Sequence, residues 1–454
     1  MNQQIIKKKI ENWNKKRYII IISILFLITF TLLTSINYKI SNDTILNDKT
    51  YDIIRQSNHN DNIDPLIDKE WESKSWVILS LLNPIEINIR LIIIQILSLI
   101  ISIILIYKII EKPTSILIIL PFTPFFIQTY ISFTDFTIMI NLVLLITLLL
   151  KKQLYNYSII LNIIITYFNF FIGIFISAIM LFLYLKKEIK IYHLIGFILP
   201  LGIFFKFKTE IIPTMNTFLE HLLVDFGSMY GISLFLFLMA IAWIIFNENN
   251  KFEKYIYTII IIIGFISFST FLFILNIATI YLASLSINWL INKKWESNLL
   301  KNLSLVLILC SIIFSGISFY KYNIDNRIDI IEGLEWIKDN TKPETLILTH
   351  PNYGYQIKFH SERRIFLDND LHLIENGMEK IRELDEFFKT RNKNNAIDFV
   401  NKYNITTILI TNEMLQGIVW SRDNEGLMFV MNNNPEFSKI YENENLQIWK
   451  LINQ

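Results

Sequence analysis

One cysteine, Cys310, is all that the 454-residue chain contains. No disulfide can close within it, and no metal site can be built from cysteine thiolates. Neither sign of charge is in surplus: 42 Lys and Arg stand against 40 Asp and Glu, a formal net charge of +2. That balance leaves no electrostatic footprint for nucleic acid, which is excluded as a partner. No internal repeat is visible. No small-residue cleavage site follows the first apolar run, 18–36, and that run is too long for a signal-peptide core. With Lys7, Lys8, Lys9, Lys15, Lys16 and Arg17 before it, the run reads as a retained anchor.

What is abundant is apolar surface: 53% of residues are hydrophobic and the mean hydropathy is +0.42. A water-soluble fold has nowhere to put that much. Isoleucine is so common that it carries little information about strands. Apolar segments recur near 18–36, 88–107, 115–132, 136–150, 155–185, 191–205, 229–246, 255–270, 272–291 and 303–320. The run 155–185 is too long for one span, and Asn169 and Gly173 near its middle predict two short helices. The expected fold class is a polytopic α-helical membrane protein with about eleven transmembrane helices, from the length a hydrocarbon core requires.

Basic residues favour the cytoplasmic side. The N-terminus, Lys108–Lys112, Lys151–Lys152, Lys186–Lys190, Lys251–Lys254 and Lys293–Lys301 all fall there if 155–185 crosses twice. Loops 37–87, 132–135 and 206–228 are then extracytoplasmic, with the region after 320. Lys206 and Lys208 are the exception, on the outer side. The expectation is an integral plasma membrane protein in contact with lipid, with a cytoplasmic N-terminus.

The hydrophobic pattern changes at about residue 321, so a membrane domain, 1–320, carrying the acidic outer loop 37–87, is followed by an extracytoplasmic domain, 321–454. In the latter, Ile331, Leu334, Trp336 and Ile337 predict a helix over 328–340. Pro343 stops it, because the residue before proline avoids the helical region. Strands are expected at 346–349, 364–367 and 405–411, helices at 371–391 and 394–403, and a terminal hairpin at 437–451. Such alternation predicts a small α/β domain.

Chemistry is concentrated in the outer loops. Asp48 and Asp52 are four apart, so a helix would place both on one face. Two carboxylates at a membrane boundary can hold a divalent cation or act as acid and base, and a solvated amphipathic helix would show the same spacing. Asp135 lies near the end of the run Pro124–Thr137; it is a candidate site because a carboxylate there is costly, and it would equally cap the helix that begins near 136. Glu210 precedes Pro213 and an interfacial pattern at 217–226 that also carries Glu220, His221 and Asp225. In the last domain, strand 346–349 runs into His350, Pro351, Asn352, Tyr353 and Gly354, at the kind of strand end where α/β domains gather ligand contacts. Gly354 would allow a tight turn there, and a plain surface turn would read the same way.

In this order, these pieces resemble the catalytic subunit of archaeal oligosaccharyltransferase and its relatives in the GT-C superfamily of membrane glycosyltransferases. Asp48 to Arg55 is similar to the acidic first-loop motif. Pro124 to Thr137 is similar to the segment that ends in an Asp-X-Asp motif, and Thr209 to Pro213 to the outer loop that carries a glutamate. Gly333 to Thr341 followed by His350 to Gly354 resembles the helix and Trp-Trp-Asp-Tyr-Gly signature that open the soluble domain. The resemblance implies transfer of a sugar from a polyprenyl-phosphate-linked donor to a protein or glycan acceptor. It implies Asp48, Asp52 and Asp135 as catalytic acids, and Mg²⁺ or Mn²⁺ on Asp48 and Asp135. It also implies acceptor contacts from Glu210, His350, Asn352, Tyr353 and Gly354. The chain departs from the pattern at Thr137, where the second Asp would stand, and at His350, Pro351 and Asn352. A further departure is Thr270, in place of a donor-binding Arg. These departures leave open a GT-C fold that binds a partner or glycan without chemistry. A transporter is the third reading, disfavoured by the missing repeat and by charges confined to the membrane edges.

Overall fold

The computed structural model describes residues 24, 26, 28–35, 48–58, 63–71, 76–82, 85–110, 114–185, 189–204, 233–246, 269–325, 328–422 and 424–451. The chain is mostly helical and separates into two units, one of 1–47 with 83–324 and one of 48–82 with 325–454. The stretch 48–82 of the loop 37–87, grouped above with the membrane domain, is thus part of the α/β unit.

In the apolar unit, helices Ile87–Ile109, Phe273–Asn292 and Asn298–Tyr320 are, among the described residues, long and apolar enough to cross a membrane. Segments Pro124–Ile131 and Asp135–Lys151 reach that length only together, across a bend of 104°. The run 155–185 is two helices, Tyr155–Phe168 and Phe170–Leu185, broken at an extended Asn169. The Asn169 side chain accepts a hydrogen bond from the Ile172 amide at 3.2 Å and so starts the second helix. Gly173 lets the two helices close: a Cβ there would lie 2.3 Å from Thr166 Oγ1. At 14 and 16 residues each is shorter than the ~20 residues that a hydrocarbon core of ~30 Å needs.

Helices Ile87–Ile109 and Asp135–Lys151 run parallel. Ser98 Oγ donates to the Thr137 carbonyl and, one turn on, Ser102 Oγ to Asn141 Oδ1, at 2.7 and 2.8 Å. At the far end Lys151 Nζ reaches the Ile109 carbonyl. The basic ends of these helices therefore lie together, as the charge pattern expected. Segment 255–268, the basic N-terminus and Lys251–Lys254 lie outside the described residues.

The α/β unit has a five-stranded sheet. Its members are β3 (Leu346–Leu348), β4 (Arg364–Ile365), β5 (Thr407–Thr411), β6 (Phe437–Glu442) and β7 (Leu446–Leu451), in the order β4-β3-β5-β7-β6. The first three are parallel; β7 runs antiparallel to β5 and to β6. Helices Ile328–Asn340, Gly377–Lys389 and Lys393–Lys402 match the sequence pattern, and β6 and β7, six residues each, form the expected hairpin. Leu334, Ile337, Ile347, Leu409, Ile410 and Ile448 are fully enclosed in its core. Loop residues complete the edge of the sheet. A small hairpin, β1 (Ile63–Asp64) and β2 (Lys69–Glu70), offers the Leu66 carbonyl to the Ile365 amide of β4 at 3.1 Å. This covers an edge that would otherwise present unpaired backbone groups.

Candidate functional site

In the apolar unit Asp135 opens its helix directly after the bend, half-buried. Thr134 is the N-cap, and Thr137, which stands where a second acid was expected, closes a capping box. Thr137 Oγ1 accepts from the Thr134 amide at 3.1 Å and donates to the Thr129 carbonyl at 2.7 Å. Fully buried, it joins the new helix to the broken one before it. A carboxylate at 137 could not donate to that carbonyl, so the departure from Asp has a structural use. Gln95 Nε2 donates to the Ile131 carbonyl at 2.7 Å and satisfies another group freed by the break. Asp135 sits where the helix dipole favours a negative charge.

In the α/β unit a set of charged side chains is buried around two lysines. Lys358, fully enclosed, donates from Nζ to Asp52 at 2.8 Å, Asp64 at 2.9 Å and Asp368 at 2.8 Å. Lys69 donates to the same Asp368 oxygen at 2.6 Å and to Asp370 at 2.5 Å. Arg55 grips Asp64 with both terminal nitrogens, at 2.9 and 2.8 Å, and lies over the Trp71 ring. Both ammonium groups lie 5.2 Å from the Tyr355 ring, an added cation–π contact. Burial would raise the Asp64 carboxyl, but Arg55 and Lys358 overcome it and hold it well below the usual range. Burial likewise works against ionised Asp370, yet Lys49 and Lys69 hold it low. Lys69 is pushed above the ordinary lysine range because Asp52, Asp368 and Asp370 outweigh its desolvation. Burial and the Asp370 and Asp368 charges raise the Tyr355 hydroxyl, which stays protonated.

At the carboxyl ends of the parallel strands lies the topological switch point, between β3 and β5, where open α/β sheets bind ligands. Residues 350–353 follow β3 and Glu413 follows β5. Tyr353 donates from its hydroxyl to Glu413 Oε2 at 2.5 Å. His350 Nδ1 accepts from the Asn352 amide at 3.4 Å. Burial lowers the imidazole from its ordinary value against a weaker opposing pull from Asp385. Asn352 is exposed. Gly354 is no left-handed turn: it starts helix Gly354–His360 with φ −57°. Its use is close approach, since a Cβ would fall 2.6 Å from Asp368 Cβ.

No known family profile matches the sequence, and no curated protein matches it. Solved structures do. The oligosaccharyltransferase AglB of Archaeoglobus fulgidus, in complex with an inhibitory peptide and a dolichol-phosphate, gives a TM-score of 0.60 at 10% identity, over 88% of this chain and 70% of that one. The Archaeoglobus fulgidus oligosaccharyltransferase in complex with Zn and sulfate gives 0.56 at 11% identity, over 87% and 68%. ArnT from Cupriavidus metallidurans, bound to undecaprenyl phosphate, gives 0.51 at 8% identity, over 94% and 97%. The chain has the GT-C fold.

Within this GT-C fold the expected site residues are distributed over both units. Asp48 begins the loop helix Asp48–Asn58 of the α/β unit, while Asp135 belongs to the apolar unit. Glu210 lies outside the described residues. Asp52 faces two ammonium groups and a guanidinium: Lys358 at 2.8 Å, Lys69 at 3.6 Å and Arg55 at 3.5 Å. Such an environment does not fit a metal ligand, because a divalent ion would have to displace fixed cations. Among the described residues no three of His, Cys, Asp and Glu are gathered as metal ligands. The sequence reading missed Lys69, Lys358, Asp368 and Asp370: Lys69 pairs with Asp368 and Asp370, and Lys358 with Asp52, across 299 to 306 positions, which leaves no local pattern; Arg55 was visible only as a basic residue in the loop motif.

Proposed function

We propose that the chain is a membrane glycosyltransferase that takes a sugar from a polyprenyl-phosphate-linked donor and passes it to an extracytoplasmic acceptor. The supporting observation is the GT-C fold, matched over 88% and 94% of the chain to two proteins solved with dolichol-phosphate and with undecaprenyl phosphate. The acceptor's hydroxyl or amide attacks the anomeric carbon, the sugar–phosphate bond breaks, and the phosphate leaves on its lipid. Asp135 is the proposed base or charge-orienting acid at the start of its helix. Asp48 and Asp135 stay as proposed ligands of Mg²⁺ or Mn²⁺; Asp52 is reassigned to holding the loop helix. A divalent ion would supply charge for the departing phosphate. His350, Asn352 and Tyr353, now joined by Glu413, are the proposed acceptor contacts, with Gly354 as their packing hinge. The proposed setting is the plasma membrane, with the N-terminus cytoplasmic and the α/β unit outside.

The test is single-turnover consumption of labelled polyprenyl-phosphate sugars by the purified chain in lipid nanodiscs. Asp135→Asn should lower turnover at least about a hundredfold, the scale of losing a positioned acid or base. Turnover equal to wild type in a folded Asp135→Asn protein rejects the assignment. Two findings favour the degenerate binder as a second reading: Thr137 is spent on a capping box, and Asp52 on a buried ion network. Donor binding with no turnover of any donor in wild type would select it.

A further inference from the structure

At the amino end of the sheet, away from the switch point, the α/β unit holds a cleft of about 740 Å³. It lies between the loop helix, the C-terminal half of helix Ile328–Asn340 and the end of helix Gly354–His360. The volume is within the range of small-molecule sites, ~300–1,000 Å³.

The walls are fixed. Arg363, nearly enclosed, ties the end of helix Ile328–Asn340 to the turn at 361–362. Its guanidinium donates to the carbonyls of Lys338 at 2.5 Å, Thr341 at 2.8 Å and Ser361 at 3.1 Å, and to Thr341 Oγ1 at 3.1 Å. This clamp holds Glu362 in the left-handed region at φ 54°, a conformation that a free glutamate rarely adopts. Lys338 and Glu362 pair at 2.7 Å on the rim.

The lining chemistry is selective. Arg55 and Lys358 line the cleft, but Asp64 pairs with Arg55, and Asp52, Asp64 and Asp368 with Lys358, so they offer little to an anion. Glu335 and Asp339 lie one helical turn apart on the same face, exposed and without an ion pair among the described residues. Asn58 adds an amide with both donors and acceptors. Phe359 supplies an apolar ring, fixed against Tyr51 at 4.7 Å and His360 at 5.0 Å. Carboxylates and an amide accept and donate to hydroxyls, and an aromatic ring covers C–H surface. A sugar offers both.

We propose that this cleft binds a neutral glycan of two or three residues. Binding does not depend on the transfer reaction. Its identification as the acceptor, or as the product being lengthened, rests on the proposed transferase reading.

The full-length chain in nanodiscs is titrated with neutral trisaccharides of glucose, N-acetylglucosamine, galactose and mannose, followed by saturation-transfer NMR. Spermine and a sulfated disaccharide serve as cationic and anionic probes. At least one neutral trisaccharide should bind saturably. The Glu335→Ala/Asp339→Ala variant should bind it about tenfold more weakly, the scale of two lost acceptors, with an unchanged melting temperature. Phe359→Leu should also weaken it, and Asp135→Asn should bind like wild type. The proposal is overturned by the absence of saturable binding for every neutral trisaccharide. It is equally overturned by wild-type affinity in the double variant, or by saturable binding of spermine or the sulfated probe alone. Glycan binding in a chain that turns over no donor would keep the cleft and reject the transferase.

Discussion

A single ammonium group organises much of the α/β unit. Lys358 Nζ is hydrogen-bonded to three carboxylates that come from the loop 37–87 and from the segment after β4. Removing one partner of a buried ionic set leaves the others desolvated and uncompensated. Lys358→Met should therefore destabilise the unit by about 3–5 kcal/mol, far more than the packing change alone. A urea midpoint within error of wild type would refute this. The same site shows what a sequence hides at this scale. Asp48 and Asp52 share a helical face by their spacing, and the helix is there. Spacing gives the face, but it does not give the partner. The partner of Asp52 lies 306 residues away, in a stretch read only as following a turn. Asp52 looked like an active-site acid because its spacing from Asp48 in an acidic loop is the same whether the carboxylate serves a ligand or anchors the helix.

At the scale of elements, helices with a clear apolar period were legible, and so were the strand hairpin and the break at Asn169. Short elements set by packing were not. Helix Gly354–His360 is seven residues long and has no stripe to announce it. Gly354 stood beside a strand end, where glycine commonly means a turn. The structure gives it another role: helix Gly354–His360 presses against the chain after β4, with Asp368 Cα 2.9 Å from the place of a Cβ. Backbone cannot give way cheaply there. Gly354→Ala should cost about 1–3 kcal/mol as overpacking, although alanine is the better helix former. Stabilisation instead, measured by urea unfolding, would mean that the contact is looser than the geometry states. Thr137 makes the same point in the apolar unit. Its identity follows from a bend of 104° that must be capped and tied to the Thr129 carbonyl, which no local pattern could announce.

At the scale of the molecule, the α/β unit is assembled from two stretches of chain that the apolar unit separates, 48–82 and 325–454. The second stretch begins close to the composition shift at 321. The first was hidden because its attachment is ionic, and ionic attachment makes the unit's stability depend on pH in a definite direction. Asp64 and Asp370 are held below the ordinary carboxylate range, chiefly against the cost of burial, by Arg55 and Lys358 and by Lys49 and Lys69. Above the unfolded value of about 3.9 both states are deprotonated, so the stabilisation is complete. Below it the unfolded chain takes up protons that the folded chain refuses, and stability falls as pH drops. Lys69 is raised, so its contribution is complete below the unfolded value of about 10.4 and is lost as pH climbs beyond it. Together with His350, which burial lowers and which therefore costs stability below its unfolded value of about 6.5, these groups predict a urea midpoint for the α/β unit that is flat from about pH 7 to 9, eases below about pH 6.5 and falls further below about pH 4. Pulse labelling of the backbone amides at one fixed pH, after equilibration at each test pH, would isolate peptides 48–58 and 354–360. The two peptides should lose protection together at the acid end. A midpoint that climbs below about pH 5 would mean that burial outweighs the cations, and that the network does not anchor the loop.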